Sequence, residues 1–412
     1  AYITDNIEHE IRLTETMIIN AKTVNETRFQ YEFEKREQLG DNSIPTINVA
    51  NAFTGGGSQI GLSFNRSNSW ELQNYTTTAL GKNSEHSVKF GVRLRGNSFK
   101  DRSENNFGGT FSFGGAAEVL SAPGCDRTVT GCILLPAISP LDQYRQRLLG
   151  STDPRVVPTQ FSLVTGDPLE SISQTDVGLF ITDDWRFSPA LTLSFGLRYE
   201  NQTNISDNSN FAPRFSFAWS PGAGGARAPK TVIRGGIGVF YERFSDNLVL
   251  QSERFDGASQ LSFLVSANDP DPVRRAAAIA LLSQPVFTLN GVSNVPTAAQ
   301  IQTLLPSSSI VRTIADDLNA PYTIQTTLGV ERQLPARTTL SLFYIASRTL
   351  HQLRARNINA PICPLQVNCN NAPRPDPTGN AFQYQYESSG ISNQKQFIAN
   401  FRTFLSNKFS LF

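Results

Sequence analysis

The residues able to do chemistry are few in this chain. Its three histidines, His9, His86 and His351, are far apart in sequence and lie mostly in strand-like contexts. His9-Glu10 opens like the metal-binding helix of a zinc protease, but Leu13 stands where the second histidine belongs. Gly57-Ser58-Gln59-Ile60 lacks the closing glycine of a nucleophile elbow, and no phosphate-cradling G-x-x-x-x-G-K-[ST] string occurs. Gly235-Gly236-Ile237-Gly238 is superficially a dinucleotide loop. It sits inside an alternating strand with no helix behind it, so it reads as small residues that let a sheet curve. Asp183-Asp184 and Asp316-Asp317 have no series of oxygen ligands around them and read as solvated faces. Neither an enzyme nor a bound cofactor is expected.

The four cysteines fall as Cys125 and Cys132, then Cys363 and Cys369, each pair within one long loop. Neither spacing is that of a zinc site, and no histidine lies nearby to complete four ligands. Two local disulfides, Cys125 with Cys132 and Cys363 with Cys369, are the reading set against free thiols. Such bridges require an oxidising compartment, in keeping with a cell surface.

These residues must be positioned by strands. The dominant signal is period-two alternation, clearest in Leu191, Leu193, Phe195, Leu197 and Tyr199 against Thr192, Ser194, Gly196, Arg198 and Glu200. Similar segments begin near residues 28, 87, 176, 214, 233 and 322, with weaker ones at 11–19, 69–80, 338–350 and 395–405. About twelve long strands result. Tight turns at 188–190, 334–336 and 406–408, with somewhat longer ones at 20–25, 81–85 and 220–230, alternate with joins that are mostly long, at 38–68, 101–173, 243–320 and 353–393; 201–210 is the short exception. Short turns on one side and long loops on the other, joined by long strands, mark an antiparallel up-and-down transmembrane β-barrel rather than a β-sandwich. Short helices are expected in the loops at 271–283, 139–150 and 297–305. Segments 107–113 and 159–165 could extend the wall outward or form a hairpin over its mouth.

Composition agrees. The 412 residues are 39% hydrophobic, only 17% charged and 10% aromatic, with 28 Phe and 29 Gly, which favours strands and turns over helices. A formal net charge of +1, spread along the chain, leaves no footprint for nucleic acid. No apolar run is long enough for a membrane helix, and the mean hydropathy is −0.25. The first residues lack a secretion signal and the last fall inside an alternating segment, so both ends are expected to be cuts in a longer protein.

In a barrel the polar face lines a hydrated lumen. The lumen-facing candidates are Arg28, Glu32, Arg93, Arg198, Glu200, Arg214, Arg234, Glu242 and Glu331. They would contact a plug or line a substrate route, or simply pair with one another in water. Trp185, Phe187, Trp219, Tyr199 and Tyr241 near strand ends fit the aromatic girdles of a bilayer, with ordinary sheet packing as the alternative.

The strings Phe180-Ile181-Thr182-Asp183-Asp184-Trp185-Arg186, Pro189-Ala190-Leu191-Thr192-Leu193 and Gly196-Leu197-Arg198-Tyr199-Glu200 resemble the barrel of TonB-dependent receptors. Asn210-Phe211-Ala212-Pro213-Arg214-Phe215, Ile233-Arg234-Gly235-Gly236 and Arg356-Asn357-Ile358-Asn359-Ala360-Pro361 extend the likeness over most of 11–360, toward the Oar-like subgroup with a carboxypeptidase-regulatory-like domain. The resemblance implies a bacterial outer-membrane barrel of about 22 strands with a plug. Energy would come from the TonB complex, for passage of a bulky solute. No plug, regulatory-like domain or TonB-contacting segment is found in 1–412, which reads as a single partial barrel domain. Its partners would be outer-membrane lipid, an unknown bulky substrate and TonB through a missing N-terminal region. The alternative is a surface-exposed binding or adhesion protein anchored by its barrel.

Overall fold

The computed structural model describes residues 1–121, 132–224, 229–269, 271–304, 310–335, 337–363, 372–376, 382–406 and 409–411. The wall consists of β1 (Tyr2–Asn20), β2 (Thr23–Gly40), β3 (Ser63–Leu80), β4 (His86–Arg102), β5 (Leu169–Ser188) and β6 (Leu191–Gln202). It continues with β7 (Asn210–Trp219), β8 (Thr231–Tyr241), β9 (Tyr322–Leu334), β10 (Thr338–Asn357), β11 (Phe382–Ser406) and β12 (Phe409–Leu411). Each pairs antiparallel with the next in chain order, and a loop strand, Ile310–Ile314, adds in parallel to the start of β11. The all-β, up-and-down arrangement and the alternation of short turns with long joins follow the expectation. Among the described residues β1 pairs only with β2, so the sheet is open.

Most strands are longer than the roughly ten residues of clean alternation. β5 and β10 have 20 residues and β11 has 25, whereas a tilted strand crosses the bilayer core in about 9–11. The surplus lies at the loop end, where the side-chain pattern loses its strict apolar period, and it carries the wall beyond the membrane. No described helix is long and apolar enough to cross.

Among the described residues, large side chains of the wall's apolar face stand exposed. Phe195 is 46% exposed and Phe397 68%, values that would be prohibitive over so wide a surface in water but are natural against lipid. The larger cluster of buried apolar side chains lies instead in the loops. There a second sheet runs Gln260–Ser266, Gln160–Gly166, Thr110–Phe113, Thr46–Val49, Phe53–Gly56. Phe111 and Phe161, both fully buried, meet with ring centroids 4.4 Å apart. Phe287 and the helix residues Leu281, Leu282 and Ile301 close the core. The segments at 107–113 and 159–165 thus neither extend the wall nor form a hairpin of their own. They pair with each other and with strands from two further loops.

All three expected helices form: α1 (Pro140–Leu148), α3 (Pro272–Ser283) and α4 (Ala298–Leu304). Ser139 accepts from the Asp142 N–H, and Asp271 from those of Val273 and Arg274, satisfying donors that the first turn leaves unpaired. A fourth, α2 (Asp246–Arg254), was not anticipated.

Candidate functional site

Residues directly opposed in an antiparallel sheet share a face, so the register sorts the wall. Arg28 opposes Gln73, which opposes Arg93, then Gly178, then Glu200. Glu32 shares the alternation of Arg28, and Arg198 that of Glu200. Beyond them Arg214 opposes Gly196 and Gly238, Arg234 opposes Ala218 and Gly329, and Glu331 opposes Val232. Eight of the nine polar-face candidates therefore lie on one side of one sheet; Glu242 follows just after β8 ends. Leu193, Phe195, Leu197 and Tyr199 are on the other side with Phe217, Phe215, Pro213 and Phe211.

The same register moves one residue. Asp183 is on the apolar side, opposite Val88, rather than on a solvated face with Asp184. Its Oδ2 is 2.7 Å from His86 Nδ1, and Trp185 stacks on the same imidazole at 5.3 Å. A paired, partly covered carboxylate beside aromatic rings can occupy the edge of an apolar band where a free one would not.

Glycines make room for aromatic rings across strands. A β-carbon at Gly329 would lie 2.3 Å from the ring of Phe343 on the polar side, and one at Gly235 would lie 2.7 Å from Phe217 on the apolar side. Gly236 is hemmed in by backbone instead, 2.9 Å from the Phe215 carbonyl. These glycines are packing positions within β8 and β9, as the strand reading of Gly235-Gly236-Ile237-Gly238 expected.

The polar face is also the one that the loops fold onto. Just after β8 the chain turns inward, and Arg243 Nε donates to Asp176 Oδ2 at 2.6 Å while its Nη2 lies 3.1 Å from Asp246 Oδ1. Asn97 donates to Asp246 Oδ2 at 2.6 Å. The fully buried Phe244 is held by its backbone: its N–H donates to Gln202 Oε1 at 3.0 Å and its carbonyl accepts from Gln174. At the far end of α2, Arg254 pairs with Asp101. Charges this shielded are tolerable only because each has a partner. Around Phe244, Ile172 of β5 and Leu318, Val249 and Leu353 form a small apolar seat.

Of the cavities that the described residues form on this face, two take in candidate residues. A small one of about 110 Å³ lies beside the inward-folded segment and brings together Arg93, Arg198, Glu200 and Glu242 with Arg95 and Arg243. A larger one of about 690 Å³ spans β5 to β10 and includes Arg214 and Arg234. Arg214 lies 4.3 Å from the centroid of Phe240, a cation–π geometry. Arg28 and Glu32 are apart from both cavities, as is Glu331; Arg28 pairs with Glu26. Several of these charges are matched in place, Arg93 to Glu71 at 2.7 Å and Arg198 to Glu200 at 2.9 Å. Among the described residues no group of three or more His, Cys, Asp or Glu could hold a metal.

The sequence reading missed Arg243, Phe244 and Asp246 because they belong to no alternating segment. A signal was present: Ser245-Asp246 ahead of Leu248, Val249 and Leu250 is a helix start followed by an apolar face. Cys132 and Cys363 are both disulfide-bonded; Cys125 and Cys369 lie outside the described residues.

The chain matches a family model described as an outer membrane beta barrel domain, over residues 2–210 and 204–411. It is 28% identical over 121 residues to the TonB-dependent transporter Oar of Myxococcus xanthus, a match covering 29% of this chain and 11% of Oar. Among solved structures it resembles the outer membrane transporter YddB from Escherichia coli, with a TM-score of 0.54 at 12% identity over 97% of this chain and 39% of that one. The ferric enterobactin receptor PfeA from Pseudomonas aeruginosa is similar at a TM-score of 0.52 and 12% identity, over 98% of this chain and 42% of the receptor. The chain thus spans less than half the length of these relatives. These relatives are transporters and receptors rather than enzymes. With a lipid-compatible outer face, a polar inner face and a family match along nearly its whole length, the chain belongs to the outer membrane beta barrel domain family, and its place is the bacterial outer membrane.

Proposed function

We propose that this chain is part of the barrel wall of a TonB-dependent transporter that moves a bulky solute across the outer membrane. The observation that carries the reading is the single charged face running from Arg28 to Glu331 across eight neighbouring strands, with a loop element folded onto it. A wall that merely anchored loops would not need so many cations and carboxylates inside. In the whole protein a plug would fill the lumen and the TonB complex would supply the energy.

The test follows solutes removed from the medium by three cultures: wild type, cells lacking the gene, and wild type with the proton gradient collapsed. Transport predicts at least one solute taken up only by the energised wild type. Uptake that ignores the gradient, or no difference between the cultures, overturns the reading. A surface-binding role has one observation in its favour, the loop sheet with its own core. It predicts loss of attachment or ligand capture in the gene-deleted cells with unchanged uptake.

In the loops we propose the pairs Cys125 with Cys132 and Cys363 with Cys369. The support is their local spacing and the bonded state of Cys132 and Cys363. Non-reducing peptide mapping of the full-length protein should recover these two linked pairs; a peptide joining the two loops would contradict the assignment.

A further inference from the structure

We infer a binding site for the phosphate of an anionic lipid headgroup on the outer face of the wall, formed by Lys35, Arg66, Lys100 and Arg102. Lys35 on β2 opposes Arg66 on β3, and Arg66 opposes Lys100 on β4. The three cations form one row across adjacent strands, with neighbouring Cα atoms about 4.5–5.5 Å apart. By the alternation they are on the lipid side, with Phe33, Trp70 and Leu94. Arg102 is two residues beyond Lys100 on the same side.

Their height follows from the strands. Lys35 comes two residues after Phe33, and Arg66 four residues beyond Trp70, in both cases toward the loop end. The row therefore stands just above the aromatic edge of the apolar band, where the headgroups of the outer leaflet lie.

Like charges directly opposed across strands repel, and this row is only half neutralised by the protein. Glu37 is 2.5 Å from Lys35, and Glu104 pairs with Arg102 while also accepting from the Leu62 N–H at 2.9 Å. Asp5, opposite Glu37, adds a carboxylate near the Lys35 end. Arg66 and Lys100 have no carboxylate within ion-pair distance among the described residues, and both are exposed. Arg66 lies 4.5 Å from the ring centroid of Phe64, a contact that leaves its guanidinium charge unneutralised. A guanidinium beside an ammonium suits phosphate: the fork gives two directed hydrogen bonds and the lysine adds a point charge. The occupant is a lipid rather than a dissolved anion because the site is continuous with the surface that lipid already covers. The charges on the inner wall cannot serve this purpose, since they face the lumen.

The test uses the full-length protein in detergent, with phosphatidylglycerol as the probe and phosphatidylcholine as its neutral-headgroup control, and counts retained lipids by native mass spectrometry. The double variant R66A/K100A should bind phosphatidylglycerol about 25-fold more weakly, each cation near the surface contributing about fivefold. R36A removes a cation from the lumen side of β2 and should bind as wild type does; R66K/K100R should retain most of the affinity, which separates lost charge from lost fold. The proposal is overturned if R66A/K100A and R36A hold phosphatidylglycerol equally. It is also overturned if phosphatidylcholine binds as tightly, or if millimolar inorganic phosphate displaces the lipid completely, which would make the cluster a generic anion site.

Discussion

The indole of Trp70 on β3 covers Gly96 on the facing position of β4, so closely that a β-carbon at residue 96 would lie 2.2 Å from Trp70 Nε1. An aromatic side chain laid over a cross-strand glycine hides the backbone that glycine exposes, and it pins the register of the two strands. Gly96→Ala should therefore cost about 1–3 kcal/mol of barrel stability, as overpacking does. Denaturant midpoints in lipid vesicles would measure it. Most of the penalty should vanish in a Trp70→Ala background; an equal loss in both backgrounds would show that the indole is not the cause.

A second prediction separates the two faces within one strand. Leu193 meets lipid, whereas Ser194 faces the lumen and its Oγ donates to Asp184 Oδ1 at 2.5 Å. Leu193→Arg should cost about 2–4 kcal/mol near the bilayer centre. Ser194→Arg adds the same charge beside a carboxylate in a hydrated space and should cost much less. Equal losses on refolding into vesicles would mean that neither face meets lipid.

The inward-folded segment gives a third. Arg243 bridges Asp176 of the wall and Asp246 of α2, and its removal leaves two shielded carboxylates without their cation. Arg243→Ala should speed hydrogen exchange of the α2 backbone by about 10- to 100-fold, the equivalent of roughly 1–3 kcal/mol of local stability. Exchange in β6 and β7 should stay unchanged. If the α2 amides remained as protected as in wild type, the ion pair would not be what holds the segment down.

At the loop end of β11, Glu387 is held between two arginines, 2.9 Å from Arg356 Nη2 and 2.6 Å from Arg354 Nη2. The hydrogen bond from Arg356, then those from Ser389 and Arg354, pull its carboxyl down to about 2. Because the folded value is depressed, its contribution to stability is complete above the ordinary glutamate range near pH 4.3 and is lost as pH falls toward 2. Carbon-13 NMR of labelled glutamate carboxyls should place its midpoint near 2, and Arg356→Ala should move it up toward the ordinary value. A wild-type midpoint near 4 would contradict the bridge.

What the sequence determined by itself was the wall. Strict alternation in Leu191 to Glu200 commits one side to an apolar medium and the other to water, and that requirement is local: it needs no knowledge of which strand is the neighbour. That Arg93, Arg198, Arg214 and Arg234 share one side of the sheet was legible for that reason, as was the start of α3, whose signal at Asp271-Pro272 lies within a residue or two of the end it closes. Tertiary structure alone decided what depends on distant partners. Ile47, Phe111, Phe161 and Phe263 come from short apolar runs spread over three loops and have no amphipathic period of their own. Only their assembly into one sheet, with Thr46–Val49 running parallel to Thr110–Phe113, gives them a core. Arg243 finds Asp176 across 67 residues, and Asp183 finds His86 across 97. A charge's partner is set by where the chain folds back on itself, and that is a property of the whole packed molecule, whereas the side of a strand on which the charge stands is fixed by the pleat of the few residues around it.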